Sequence, residues 1–157
     1  MTNKEINKIV NQYYPLISKD YNCNAKVELH KNIYERLSGE KGMTGEVHAS
    51  GEYDWSKNKI YLYTSKLSNE ESILRSLIHE CVHSTQSKLL FDIYYEFGYN
   101  YDTHPYEVKA RNAEENWRKY KSLTKNNTST KLVSNYNFEE FDKWMNDLIE
   151  RNGTTEY

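Results

Sequence analysis

The chain is 157 residues long, 37% hydrophobic and 28% charged, with 21 Lys and Arg against 23 Asp and Glu for a net charge of −2. That length suits one domain able to bury its own core, and the balanced charge lacks the basic surface that nucleic acid selects, so nucleic acid is an unlikely partner. No run reaches about 18 apolar residues, the length of a membrane span, so no membrane partner is expected.

The opening residues "MTNKEINKIV" have no apolar stretch of the kind a signal peptide needs. Cys23 and Cys81 form no framework and read as free thiols, which places the expected compartment in the reducing cytoplasm. Asn3 to Ser18 carries Ile6, Ile9, Val10, Tyr13 and Tyr14 at helical spacing, with Pro15 disturbing its end. Ala25 to His30 alternates apolar and polar residues and predicts a strand. The glycine-bearing "SGEKGMTGE" is a loop, after which Gly45 to Tyr53 and Lys59 to Thr64 predict two strands around the turn "DWSKN".

Ser68 followed by Glu71 reads as a capping box, and from Asn69 a helix can run to about Leu90 without Gly or Pro. Pro105 opens a further helix through "YEVKARNAEENWRKYKSL", in the position that tolerates a missing amide proton. Residues 124–136 are a polar connection to a last amphipathic helix, Asn137 to Arg151, with Phe138, Phe141, Trp144, Met145 and Leu148 on one side. The fold class predicted is α+β: a single domain over residues 1–157, with an amino-terminal helix, a three-stranded and mostly antiparallel sheet, two long helices and a carboxy-terminal helix.

Chemistry concentrates in "SLIHECVHSTQ". Each helical residue advances by about 100°, so His79 and His83 lie nearly above one another and can converge on one tetrahedral ion. Glu80 projects to the side, from where its carboxylate can reach a water on the metal without becoming a ligand. The apolar residues Ile73, Leu74, Leu77, Ile78, Cys81 and Val82 cover about half of the helix circumference. The histidines fall outside that arc, on the face of Ser72, Ser76 and Gln86, which sets them apart from core histidines. Cys81 points into the arc and reads as a small buried hydrophobe, while His30 and His48 fall in strand-like segments and are expected at the surface. A hydrolytic zinc site takes a third protein ligand. Downstream, "DTHPYEVKARNAEE" offers His104 and Glu107.

HExxH on one helix followed by a glutamate on the next resembles the gluzincin branch of the zinc metallopeptidases, or zincins. "HPYEVKARNAEE" is also similar to the glutamate-bearing helix of small phage and bacterial metallopeptidases. The resemblance spans roughly Lys59 to Glu115 and implies a small zincin-like domain. It implies one Zn2+ held by His79, His83 and Glu107, with Arg111 and Glu114 on the same helix supporting the site. It also makes "KIYLYTS" the edge strand over a substrate cleft. Thermolysin-type enzymes carry a second domain, so a shallow cleft is expected in this shorter chain. A third histidine at His104 would instead resemble the SprT-like DNA-associated proteases, and Gln86 excludes the metzincins, which need glycine there.

The function implied is a zinc metallopeptidase acting on a protein or peptide substrate, with Glu80 as the general base that passes a water proton to the leaving amine. The oxyanion would rest on zinc and one side-chain donor, drawn from Tyr106, His104, Tyr95 and Tyr99. The alternative from another class is a zincin-fold module that binds a protein partner without turnover, which would have no need of Glu80.

Overall fold

The computed structural model describes residues 1–40 and 49–125. Its first helix, α1 (Asn3–Asp20), starts in a capping box: the Thr2 hydroxyl accepts from the Glu5 amide and the Glu5 carboxylate accepts from the Thr2 amide. Ile6, Val10, Tyr13 and Ile17 recur on one face and are all buried. That apolar face carries the helix through Pro15 to Asp20, past the expected end at Ser18.

Strands β1 (Lys26–His30), β2 (Gly51–Asp54) and β3 (Lys59–Tyr63) make one sheet in the order β1-β3-β2. β3 runs parallel to β1, with Val27 opposite Ile60 and Leu29 opposite Leu62, and antiparallel to β2, with Tyr53 opposite Ile60. The expected mostly antiparallel sheet is therefore mixed, and the strand expected at the edge is the central one. The cause is legible in "KIYLY": Ile60, Tyr61, Leu62 and Tyr63 are all buried, the unbroken apolar run of a strand covered on both faces. The edge role passes to β2, which among the described residues pairs with β3 alone and buries only Tyr53. Of the longer strand expected from Gly45, residues 45–48 lie outside the described part.

Between β1 and β2 sits a short helix absent from the expected order, α2 (Ile33–Ser38). Asn32 caps it by accepting from the Glu35 amide, and Gly39 ends it in the left-handed region at φ 72°. From α2 the Arg36 guanidinium lies 4.2 Å from the centre of the Tyr61 ring and donates to Glu52 and the Tyr63 hydroxyl, covering the outer face of the sheet.

The inner face is covered by α3 (Glu70–Ser84). Its cap is Asn69 with Ser72, one residue later than the expected Ser68 and Glu71: the Asn69 side chain accepts from the Ser72 amide, and the Ser72 hydroxyl takes the Ser68 and Asn69 amides. The whole predicted arc, Ile73, Leu74, Leu77, Ile78, Cys81 and Val82, is fully buried in the core that α3 shares with α1 and the sheet. The helix stops at Ser84 instead of running to Leu90. The hydroxyls of Ser84 and Thr85 turn back onto the carbonyls of Cys81 and Val82, and Ser87 caps a new helix, α4 (Lys88–Glu96). Four polar residues in "STQS" thus break a segment that lacks Gly and Pro.

Helix α5 (Pro105–Ala113) starts at its proline as predicted and bends through a single tight turn, residues 114–116, into α6 (Trp117–Lys125). The Tyr120 hydroxyl donates to the buried Asp20 carboxylate at 2.6 Å, and Asn116 donates to Tyr21, tying α6 to the end of α1. The predicted carboxy-terminal helix lies outside the described residues. Among those described, no helix is long and apolar enough to cross a membrane. Because Leu77 is completely buried on α3, Leu77→Ala is expected to lower unfolding free energy by about 2–5 kcal/mol in urea denaturation.

Candidate metal centre

Three of the predicted site residues come from one turn of α3 and the fourth from α5. His79, Glu80, His83 and Glu107 are all buried, each under 10% exposed although each is polar. The two imidazoles stand edge to face with ring centres 4.7 Å apart. Their Nε2 atoms are 3.0 Å apart, and Glu107 Oε2 lies 3.1 Å from the first and 3.3 Å from the second.

The other ring nitrogens decide what those three atoms are. His79 Nδ1 meets Glu114 Oε1 at 2.7 Å, and His83 Nδ1 meets Gln86 Oε1 at 2.7 Å, while the Gln86 amide nitrogen donates to the Tyr106 carbonyl. With both Nδ1 atoms donating to these oxygens, each Nε2 turns a lone pair inward. Two lone pairs and a carboxylate oxygen then face one another in a buried space, an arrangement that only a cation or a proton can satisfy. Donors bound at about 2.0–2.1 Å to a tetrahedral ion stand about 3.3–3.4 Å apart, close to the separations here. The group can therefore hold a metal ion.

In the metal-free protein a proton takes that place. Burial alone would depress the His79 imidazolium, but Glu107 and Glu114 outweigh it and raise its pKa to about 10. Burial likewise pushes the Glu107 carboxyl up, and the two imidazoles overcome it and hold the value at about 2. Glu80, beside them, is raised above the usual carboxylate range by burial, against the pull of both histidines. Arg75 anchors the outer rim by donating to Glu71 and Glu115 and lying 3.7 Å from Glu114.

His104 is not part of the His79, His83 and Glu107 group. It is the cap of α5, its Nδ1 accepting from the Tyr106 and Glu107 amides at 3.1 and 3.4 Å and its Nε2 donating to the Phe91 carbonyl at 2.8 Å. With both nitrogens engaged in a fully buried ring, the histidine alternative for the third ligand fails, and the residue instead fixes where Glu107 starts its helix. Glu114 sits where the resemblance implied, whereas Arg111 turns away to the carbonyls of Tyr101 and Asp102. His30 is half-buried and bonded to Glu28, and His48 lies outside the described residues.

Around the group opens a cleft of about 1100 Å³. Its walls include β2, the half-buried rings of Trp55 and Phe91 beside His83, and Tyr101. Tyr106, His104, Tyr95 and Tyr99, the expected oxyanion donors, do not line it. Gly51 is pressed against the base: a Cβ there would stand 3.3 Å from the Glu80 carboxylate and 3.1 Å from the Tyr61 carbonyl. Sequence reasoning passed over Gln86, Gly51, Trp55 and Tyr101. Gln86 had a usable signal in sharing the face of His83, and Gly51 in interrupting a strand pattern.

Purified protein is expected to bind about one equivalent of divalent metal in elemental analysis, and Glu107→Ala should weaken retention against a chelator more than His104→Ala. The pH dependence follows from the paired shifts. His79 is raised from its ordinary 6.5 to about 10, so its contribution to metal-free stability is complete below about 6.5 and is lost as pH rises through 10. Glu107 is lowered from 4.5 to about 2, so its contribution is complete above about 4.5 and is lost as pH falls through 2. Metal-free stability, read by denaturant melts across pH, should therefore be greatest between about 4.5 and 6.5, as far as these two groups set it.

No family model, no curated protein and no solved structure matches the chain, so what is known of this centre comes from its own residues.

Proposed function

We propose that the protein is a zinc-dependent metallopeptidase that hydrolyses peptide bonds of a protein substrate. The observation that carries this reading is Glu80: a buried carboxylate standing next in sequence to one candidate ligand, facing the same cleft, yet outside the group of atoms that meets between His79, His83 and Glu107. Two imidazoles and one carboxylate are a donor set that suits zinc and leaves a coordination position open. Bound there, zinc would act as a Lewis acid and make water acidic enough to yield hydroxide near neutral pH.

The rest of the chemistry belongs to the chain. Glu80 takes the proton that water loses as its oxygen bonds to the peptide carbon, and returns it to the amine nitrogen as the carbon–nitrogen bond breaks. Gln86 and Glu114 keep the imidazoles in the tautomer that points Nε2 inward. β2, free on one edge among the described residues, offers main-chain donors and acceptors to an extended peptide beside the cleft. Trp55 and Phe91 give that peptide an apolar wall. A binding module without turnover has no use for a carboxylate buried at Glu80's position, where it costs stability.

Glu80→Gln is expected to keep its metal while hydrolysis of an unbiased peptide library falls by about 100-fold or more. Retained hydrolysis would remove the base assignment, and a metal-retaining wild type that cleaves nothing in the library would remove the peptidase reading. Gly51→Ala, which crowds the Glu80 carboxylate, is expected to lower kcat without loss of metal.

A further inference from the structure

The hydroxyl and indole donors that line the cleft are Ser50, Tyr53, Trp55, Ser56 and Tyr101. The first four are committed within the protein. Ser50 is bonded to Ser76 at 2.7 Å, Tyr53 donates to Asn58, Trp55 donates to the Gln86 carbonyl and Ser56 donates to Asp54. The two cations of the lining are also engaged, Arg36 with Glu52 and Tyr63, and Lys88 with Asp92 at 2.6 Å. Among the described residues Tyr101 is the one hydroxyl or indole of the lining that is not paired with a protein acceptor in this way, so its hydrogen is open to a ligand.

Its placement is built. The loop before α5 turns on Asn100, whose side chain accepts from the Asp102 and Thr103 amides. Arg111, one turn beyond Glu107 on α5, donates one arm of its guanidinium to the Tyr101 carbonyl at 2.7 Å and the other to the Asp102 carbonyl at 2.8 Å. The same guanidinium lies 4.6 Å from the centre of the Tyr101 ring. A helix that carries a candidate ligand therefore also grips the loop that presents the phenol to the same cleft.

We propose that Tyr101 is a catalytic residue: its hydroxyl donates a hydrogen bond to the oxygen on which negative charge develops during peptide hydrolysis, with Arg111 as its positioning residue. The inference rests on the peptidase reading. In the step itself, the water oxygen bonds to the carbonyl carbon, the carbonyl π pair moves onto oxygen, and the water proton goes to Glu80. The Tyr101 proton stays on the phenol and strengthens its hydrogen bond as the oxygen becomes anionic. The interaction is stronger in the transition state than in the ground state, so it raises kcat and leaves KM nearly unchanged.

The test uses zinc-loaded full-length protein and two readouts. Tyr101→Phe is expected to lower kcat on a cleaved peptide by about 10–100-fold with KM within about twofold and zinc content unchanged. In calorimetry, a phosphonamidate peptide, whose tetrahedral anion mimics the charged oxygen, should bind Tyr101→Phe at least about 10-fold more weakly than wild type. Arg111→Ala should weaken the phosphonamidate while retaining zinc, and Tyr99→Phe, in the same loop but off the cleft, should change neither readout. Tyr101 is 52% exposed, so the variant is expected to fold, with an unchanged melting curve as the control. Equal phosphonamidate affinity in wild type and Tyr101→Phe overturns the proposal, as does failure of wild type to bind it. A wild type that cleaves no peptide but binds the phosphonamidate in a Tyr101-dependent way would fail the peptidase reading while upholding the donor.

Discussion

Three electron-rich atoms brought within 3.3 Å of one another in a buried space set the demands that the rest of this domain meets. Such an arrangement is repulsive unless a positive charge occupies its centre. Without metal, the demand appears as a proton held on His79 to about pH 10. With metal, the same demand becomes affinity, and loading must displace that proton. Strain of this kind survives only where the surroundings leave no room for relief, and α3 provides that rigidity. Its apolar half is locked in the core by Ile73, Leu77, Ile78 and Val82, so the polar half cannot rotate away.

The outer contacts follow the same logic at lower cost. Glu114 and Gln86 hold one imidazole each, and both are themselves held, the first near Arg75 and the second by the Tyr106 carbonyl. Two elements, α3 with the segment just after it and α5 with its tight turn, thus contribute one candidate ligand set and one supporting set apiece. The sheet contributes closeness. Gly51 lets the edge strand approach the Glu80 carboxylate as nearly as a backbone can, and the Ser50–Ser76 bond fixes the approach.

What the sequence disclosed and what it hid divide along range. Helical periodicity is a local signal, so the apolar arc of α3 and the inward pairing of His79 with His83 were legible residue by residue. Caps were legible to within a residue, since Asn69 and Ser68 are chemically near-equivalent starts. Strand order was not, because nothing local distinguishes a parallel from an antiparallel neighbour, although the unbroken "KIYLY" carried the hint of a central strand. The break after Ser84 depended on hydroxyls choosing helical carbonyls over solvent, a competition that composition alone does not decide. Tyr101 is held at the cleft by an arginine ten residues away in sequence, a relation no spacing rule exposes.

The capping role of His104 has a wider bearing. Its ring spans two helices, receiving amides from the start of α5 and giving its proton to the Phe91 carbonyl on α4. A substitution there loosens the platform on which Glu107 stands, so an alanine scan scored on metal retention alone would rank it with the candidate ligands. Chains of this kind invite miscounting of histidines, and a ligand is better told from a strut by asking whether either ring nitrogen has electrons to spare.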